Sequence, residues 1–150
     1  MREAGATAGF EYVDDGVTSD VTLRAWGPDL DALFTAAADA TVQAMVRSLD
    51  SIDPAIHKHA SVSADALDLL LLRLLEELVF WKDASRLLLR ATAVRVRPSA
   101  GGYVAEAELR GEPIDAGKHD LEADVKGVTL HGLRVEPTQA GWVAEVTLDV

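Results

Sequence analysis

The spacing of apolar positions along the chain changes period, and each change marks an element. Phe10 to Val13 reads as a short strand, and Asp14, Asp15 and Gly16 follow as a turn-rich patch. From about Asp20 to Trp26 the pattern alternates, with Val21, Leu23 and Ala25 against Thr22, Arg24 and Trp26, which predicts a half-buried strand. Gly27-Pro28-Asp29 breaks it and supplies Asp29 as a helix N-cap. Leu30, Leu33, Phe34, Ala37, Thr41 and Met45 then recur at helical spacing, so a first helix is expected to run to about Arg47.

Ile56 to Val62 is a further strand candidate, with Ser63 as the cap of a second helix over about Ala64 to Lys82. Leu67, Leu70, Leu71, Leu74 and Leu78 fall on one face of that helix, while Leu69, Leu72, Val79 and Phe80 spread apolar character around it. Such a helix is buried on more than one side, and core packing is a better account of it than a partner-binding groove. From Leu87 the period becomes two. Leu87–Arg97, Tyr103–Arg110, Leu121–Glu136 and Trp142–Val150 read as strands, parted by turns at Pro98–Gly102, Gly111–Lys118 and Pro137–Gly141. Consecutive strands with short turns pair antiparallel. The expected fold is α+β and two-layered, a mainly antiparallel sheet packed with two helices. It forms one domain over residues 10–150 behind a flexible N-terminal segment, residues 1–9.

Composition narrows the chemistry. At 150 residues the chain has the size of one domain, and it contains no cysteine, which removes disulfides, zinc ribbons and thiol nucleophiles. Twenty-five acidic residues against fourteen basic ones leave a formal charge of -11. Nucleic-acid affinity comes largely from Lys and Arg on phosphates, so direct RNA or DNA binding is disfavoured and cations or basic proteins are favoured. The start of the chain lacks the apolar core of a secretory signal. The greasiest stretch, Leu67 to Trp81, carries Asp68, Arg73, Glu76 and Glu77, whereas a membrane span needs about 20 mostly apolar residues. A cytoplasmic protein is expected.

The chain has no Gly-x-Ser-x-Gly, no phosphate-binding Gly-x-x-x-x-Gly-Lys and no dinucleotide-binding Gly-x-Gly-x-x-Gly. His57 and His59 would share one face of a strand and could hold a transition metal, but two exposed histidines are the simpler account. The carboxylates say more. Asp14, Asp15 and Asp20 bracket the first turn, and Asp149 precedes Val150, whose main-chain carboxylate ends the sequence. If the last strand runs beside the one that starts at Asp20, these groups form an oxygen-rich pocket suited to Ca²⁺ or Mg²⁺. A third set is Lys118-His119 followed by Lys126 and His131, the latter two in opposite phase on an expected strand. Ordinary strand polarity is the better account of these residues taken by themselves.

Taken in order, these segments resemble the archease family. Phe10-Glu11-Tyr12 and Thr18-Ser19-Asp20-Val21-Thr22-Leu23-Arg24-Ala25-Trp26-Gly27 are similar to its opening Tyr-Glu-x-x-Asp-His-Thr-Ala-Asp segment. Leu30–Phe34, Asp65, Glu76-Glu77-Leu78, Lys118-His119, Val125-Lys126-Gly127-Val128-Thr129-Leu130-His131 and Asp149-Val150 follow in the family's sequence. The resemblance implies a protein cofactor of the GTP-dependent RNA-splicing ligase of tRNA splicing and RNA repair, promoting ligase guanylylation and repeated turnover. It implies a metal site on Asp20, Asp149 and Val150, with Ca²⁺ preferred and Mg²⁺ or Mn²⁺ as alternatives. It leaves Lys118, His119, Lys126 and His131 as contacts for the ligase or its nucleotide. The family's Asp-His is replaced by Gly16-Val17, and a valine cannot replace the hydrogen bonds of an imidazole, although Asp14 or Asp15 could restore a carboxylate. A metal-dependent phosphoester hydrolase and a chaperone-like interaction module are the competing readings.

Overall fold

The structure is a computed structural model that describes residues 7–13 and 20–150, so the expected turn at Asp14–Gly16 and the position of Val17 lie outside the described residues, as does most of the segment 1–9. The elements run β1 (Gly9–Val13), β2 (Val21–Gly27), α1 (Leu30–Met45), β3 (Ile56–Ala64), α2 (Leu67–Ser85), β4 (Leu87–Ser99), β5 (Gly102–Pro113), β6 (Gly127–Thr138) and β7 (Gly141–Asp149). The expected α+β architecture with two helices and antiparallel strands is present. The strands divide between two sheets, one of order β1-β2-β7-β6 and one of order β3-β5-β4. Helix α1 packs on β1, β2 and β7 of the first sheet and on β4 of the second, while α2 packs on β3, β4 and β5 and on β6. Both helices are therefore shared by both sheets.

The alternation read in β2 is the alternation observed. Leu23 and Ala25 are fully buried, as are Ala144, Val146 and Leu148 on the neighbouring β7, whereas Arg24 lies half-exposed on the opposite face. Asp29 caps α1 as expected, its Oδ1 accepting from the Ala32 N–H at 2.8 Å. The leucines of α2 behave as core: Leu70, Leu71, Leu74 and Leu75 are completely buried and Leu78 nearly so. The Tyr12 hydroxyl donates to the Ala40 carbonyl at 2.6 Å and clips β1 to α1. Burial pushes that phenol up to about 12. A Cβ at Gly111 would lie 1.7 Å from the Leu88 carbonyl oxygen, so the approach of β5 to β4 requires glycine there.

Several expectations are corrected. Ser63 does not cap α2. It continues β3, and the N-cap is Ala66, which contributes no side-chain bond. Helix α1 stops at Met45, two residues short of Arg47, because Val46 is extended. The turn expected at Gly111 starts later, since β5 continues to Pro113. The largest change concerns Leu121–Glu136, whose first part is not strand. Leu121 makes an isolated bridge with Val46, and β6 opens only at Gly127.

The segment between β5 and β6 instead covers the C-terminal ends of both helices. A helix end leaves its last carbonyls without intrahelical donors. Here the N–H groups of Glu122 and Ala123 bond the Met45 and Ala44 carbonyls at 2.8 and 3.0 Å, and the N–H of Ile114 bonds Arg86 at 2.8 Å. The clasp is completed by Lys82, buried near the end of α2. Its ammonium reaches Asp124 Oδ1 at 2.6 Å, the Val125 carbonyl at 2.6 Å and Asp83 Oδ1 at 2.8 Å, which uses all three of its protons. Desolvation is the largest single influence on Lys82 and pulls its affinity for the proton down, but the bonds to Asp124 and Asp83 together outweigh it and the pKa is raised. Lys82→Met should leave the Val125 carbonyl buried without a donor and destabilise the protein by about 1–3 kcal/mol. Denaturant unfolding of the variant beside Lys82→Arg, which restores the charge and the donors, checks this; an unchanged midpoint for Lys82→Met would refute it.

Candidate functional site

The site grows from one register. Strand β2 pairs antiparallel with β7, Val21 facing Leu148, Leu23 facing Val146 and Ala25 facing Ala144. The ladder ends at Val21 and Leu148, and one further step in the same register would set Asp20, which just precedes β2, across from Asp149. The same face carries Thr22 and Thr147, whose hydroxyls bond each other at 2.9 Å, and then Arg24 with Glu145 at 2.9 Å. Residues two apart on a strand share a face. Asp20 and Asp149 thus head two facing polar columns. On the other side β6 meets β7, with Gly127 opposite Asp149, and the Lys126 N–H donates to the Asp149 carbonyl at 2.7 Å. Val150 is half-buried against the core, which anchors the main chain just beyond Asp149.

The donors at this edge are hard carboxylate oxygens, the chemistry that Ca²⁺ and Mg²⁺ accept. Among the described residues no three His, Cys, Asp or Glu side chains form a group able to hold a metal ion. Asp20 and Asp149 supply two side-chain carboxylates, and the main-chain carboxylate of Val150 is the third group expected there.

The remaining sequence-derived residues are placed differently from one another. His119 is buried, and its Nδ1 accepts the Asp115 N–H at 2.9 Å, which fixes the proton of the neutral ring on Nε2, facing Glu112 Oε2 at 2.9 Å. Lys118 reaches the same Glu112 oxygen at 2.7 Å and Asp53 at 2.8 Å, and the Asp53 N–H adds a third donor to Glu112 at 2.8 Å. Lys118 and the other two donors hold the Glu112 carboxyl down at about 2, far below its ordinary range. Lys118 and His119 therefore tie the end of β5 to the loop at Asp53.

Lys126 precedes β6, so the strand parity expected between it and His131 does not apply. A bulge between Thr129 and Arg134 disturbs the register further, and Gly132 there has φ 67°. His131 and the largely exposed Leu130 stand on that bulge. His57 and His59 share one face of β3, as expected, and share one carboxylate. Glu108 of β5 bonds both, His59 at 3.2 Å, and His57 leads the effect that lowers the Glu108 pKa.

Glu112, Asp53, Lys82 and Asp124 carried no signal in the sequence. Glu112 fell inside a stretch read as a turn, and a lysine near the C-terminal end of a helix reads as an exposed complement to the helix dipole.

An antiparallel α+β fold whose two helices are shared by two sheets, with paired carboxylates at a strand edge, defines the class. The family model described as the archease protein family (MTH1598/TM1083) matches residues 10–150, and the chain belongs to the archease family. Protein archease of Thermococcus gammatolerans is 31% identical over 134 residues, 89% of this chain and 94% of the relative. That of Pyrococcus abyssi is 29% identical over the same shares. The solution structure of Methanobacterium thermoautotrophicum protein 1598 superposes with a TM-score of 0.81 at 29% identity, covering 95% of this chain and 99% of that one. A Thermotoga maritima protein described as an archease and possible chaperone shares the fold, with a TM-score of 0.59 and 11% identity over 93% of this chain and 96% of its own.

The Glu112 network carries a pH signature. A depressed carboxylate contributes stability that is complete above its unfolded pKa and is lost as pH falls through the folded one. For Glu112 that window runs from 4.5 down to about 2. Glu112→Gln should be less stable than the wild type at neutral pH, and the gap should close across that window. Urea midpoints taken as a function of pH would show it; a gap independent of pH would contradict the assignment.

Proposed function

We propose that this protein is a non-enzymatic activator of the GTP-dependent RNA-splicing ligase, promoting guanylylation of the ligase and its repeated turnover in the cytoplasm. Asp20, Asp149 and the Val150 carboxylate hold a divalent cation, Ca²⁺ in preference to Mg²⁺ or Mn²⁺. Membership of the archease family and the β2–β7 register, which carried one residue further would align residue 20 with residue 149, support this reading. A bound cation would supply positive charge where phosphates gather. Nucleotidyl transfer is accelerated mainly by positioning and by neutralising charge. The chain's own part is to hold the two aspartates at a fixed spacing, with the Lys126 N–H fastening the Asp149 main chain. Lys126 and His131, both exposed, remain available to the ligase or its nucleotide, whereas Lys118 and His119 act by holding their loop.

The hydrolase reading has less support because, among the described residues, three of the four histidines are engaged elsewhere. Both ring nitrogens of His119 are engaged, and His57 and His59 share Glu108. A client-binding role for the leucine face of α2 is opposed by its complete burial. No helix among the described residues is long and apolar enough to cross a membrane, which accords with the proposed location.

Asp149→Asn should weaken calcium and manganese affinity by roughly tenfold or more, since even changing a residue behind a metal ligand costs that much. It should also abolish stimulation of the cognate ligase at protein concentrations where the wild type acts. Calorimetric titration of each ion, paired with a guanylylation assay, tests both. Equal cation binding by variant and wild type would remove the carboxylate site, and a ligase indifferent to the wild type would remove the function.

A further inference from the structure

The outer face of α2 holds a feature that the carboxylate pair does not use. Glu76, Phe80 and Asp83 lie at i, i+4 and i+7, which places them on one stripe of the helix. Phe80 is 54% exposed, while Val79 beside it is buried. Together with Ala84, Lys126 and Gly127 these residues line a groove of about 370 Å³. The Phe80 ring is held edge-on against Trp81 at 5.4 Å, and Trp81 is in turn capped by the Lys58 ammonium at 4.8 Å. The exposed ring is thus fixed in place. The far wall is open, since a Cβ at Gly127 would meet no atom within 4 Å. That wall also leads to the carboxylate edge, because Gly127 pairs with Asp149.

We propose that this groove docks an arginine-bearing segment of the partner ligase, with the guanidinium over the Phe80 ring and between the Glu76 and Asp83 carboxylates. The identity of the partner rests on the function proposed above; the groove and its chemistry do not. Three features select the occupant. A planar cation over an aromatic face flanked by carboxylates gains both a cation–π contact and ion pairs. Among the described residues Glu76 has no ion pair of its own, and Asp83 keeps most of its side chain exposed while touching Lys82. Lys126 is the groove's single lining cation, set against the carboxylates of Glu76 and Asp83. A nucleic acid would bring phosphates to carboxylates, and a second copy would bring another chain of net charge -11. Both are disfavoured. Exposed aromatics ringed by polar groups and arginines that fill such pockets are the common anchors of protein interfaces.

Affinity and stimulation should separate under substitution. Phe80→Ala and Glu76→Lys alter exposed side chains and should leave the fold intact, as thermal unfolding would verify. In titration calorimetry against the cognate ligase each should weaken binding at least roughly tenfold, a loss of about 1.4 kcal/mol. Glu76→Lys should also flatten the dependence of binding on salt. At saturating concentration both should still stimulate guanylylation. Asp149→Asn should do the reverse, binding like the wild type and failing to stimulate. Folded Phe80→Ala and Glu76→Lys proteins that bind the ligase as the wild type does would overturn the docking proposal and leave the activator reading standing. A wild type that neither binds nor stimulates the ligase would overturn the activator reading, and with it the partner named here. Weakened self-association of the two variants in sedimentation, with ligase binding unchanged, would assign the groove to a second copy and overturn the proposal.

Discussion

The pairing of β2 with β7 joins residues more than a hundred positions apart, and the core leaves it only one register. Leu23, Ala25, Ala144, Val146 and Leu148 are fully buried on the inner face of these two strands. A slip of β2 by one residue would turn Leu23 and Ala25 away from the core and bring Thr22 and Arg24 inward. Burial of a leucine or valine side chain is worth about 1.5–3 kcal/mol, so Leu23, Val146 and Leu148 together enforce the register. Carried one residue beyond β2, that constraint would bring Asp20 towards Asp149 without any contact between the two carboxylates being favourable in itself. Like charges opposite one another cost energy in a sheet. The hydrophobic face of the strands is what holds them there.

Much of this was legible because the two sheets keep one face buried and one polar, which writes a period of two into the sequence. Strands β1, β2, β4, β5 and β7 were visible for that reason, as was α1 from its aspartate cap and apolar stripe. The failures share a cause. Leu121, Ala123 and Val125 alternate with acidic residues just as a strand does, yet the N–H groups of Glu122 and Ala123 bond the end of α1 and the Val125 carbonyl accepts from Lys82. Alternation reports burial on one side and says nothing of which backbone groups the hydrogen bonds go to. The bulge at Thr129–Arg134 was invisible on the same ground, since extra residues on one strand can be recognised only against its partner. The assignment of Asp20, Asp149 and Val150 to a metal rests on resemblance together with spacing. The network of Glu112, Lys118, His119 and Asp53 brings together distant positions that nothing local connects.

The distribution of charge follows a consistent logic. Many of the few cations are spent inside the molecule: Lys82 on Asp83 and Asp124, Lys118 on Asp53 and Glu112, Arg24 and Arg134 on Glu145, Arg90 on Asp39. Each joins separate elements, and Lys82 does so from a buried position where an unpaired ammonium would be costly. With those cations internally engaged, the charge of -11 is expressed outward by carboxylates. A surface of that kind attracts metal ions and basic protein segments by the same field, and repels phosphate chains.

The clasp over the helix ends gives this field its geometry. Lys82 holds Asp124 and Val125, and two residues further on the chain enters β6 at Gly127, opposite Asp149. Between them Lys126 gives its N–H to Asp149 and forms part of the groove that Phe80 exposes. A single short stretch of backbone, fixed by a buried lysine at one end and by a strand at the other, therefore borders both the aspartate pair and the exposed ring. Anything seated against Gly127 presses on the residue that pairs with Asp149. The groove and the carboxylate edge share that backbone, which Lys82 holds through its three acceptors. What the fold contributes there is a fixed separation between the end of β7 and the exposed Phe80 ring, set by backbone that hydrogen bonds hold at both ends.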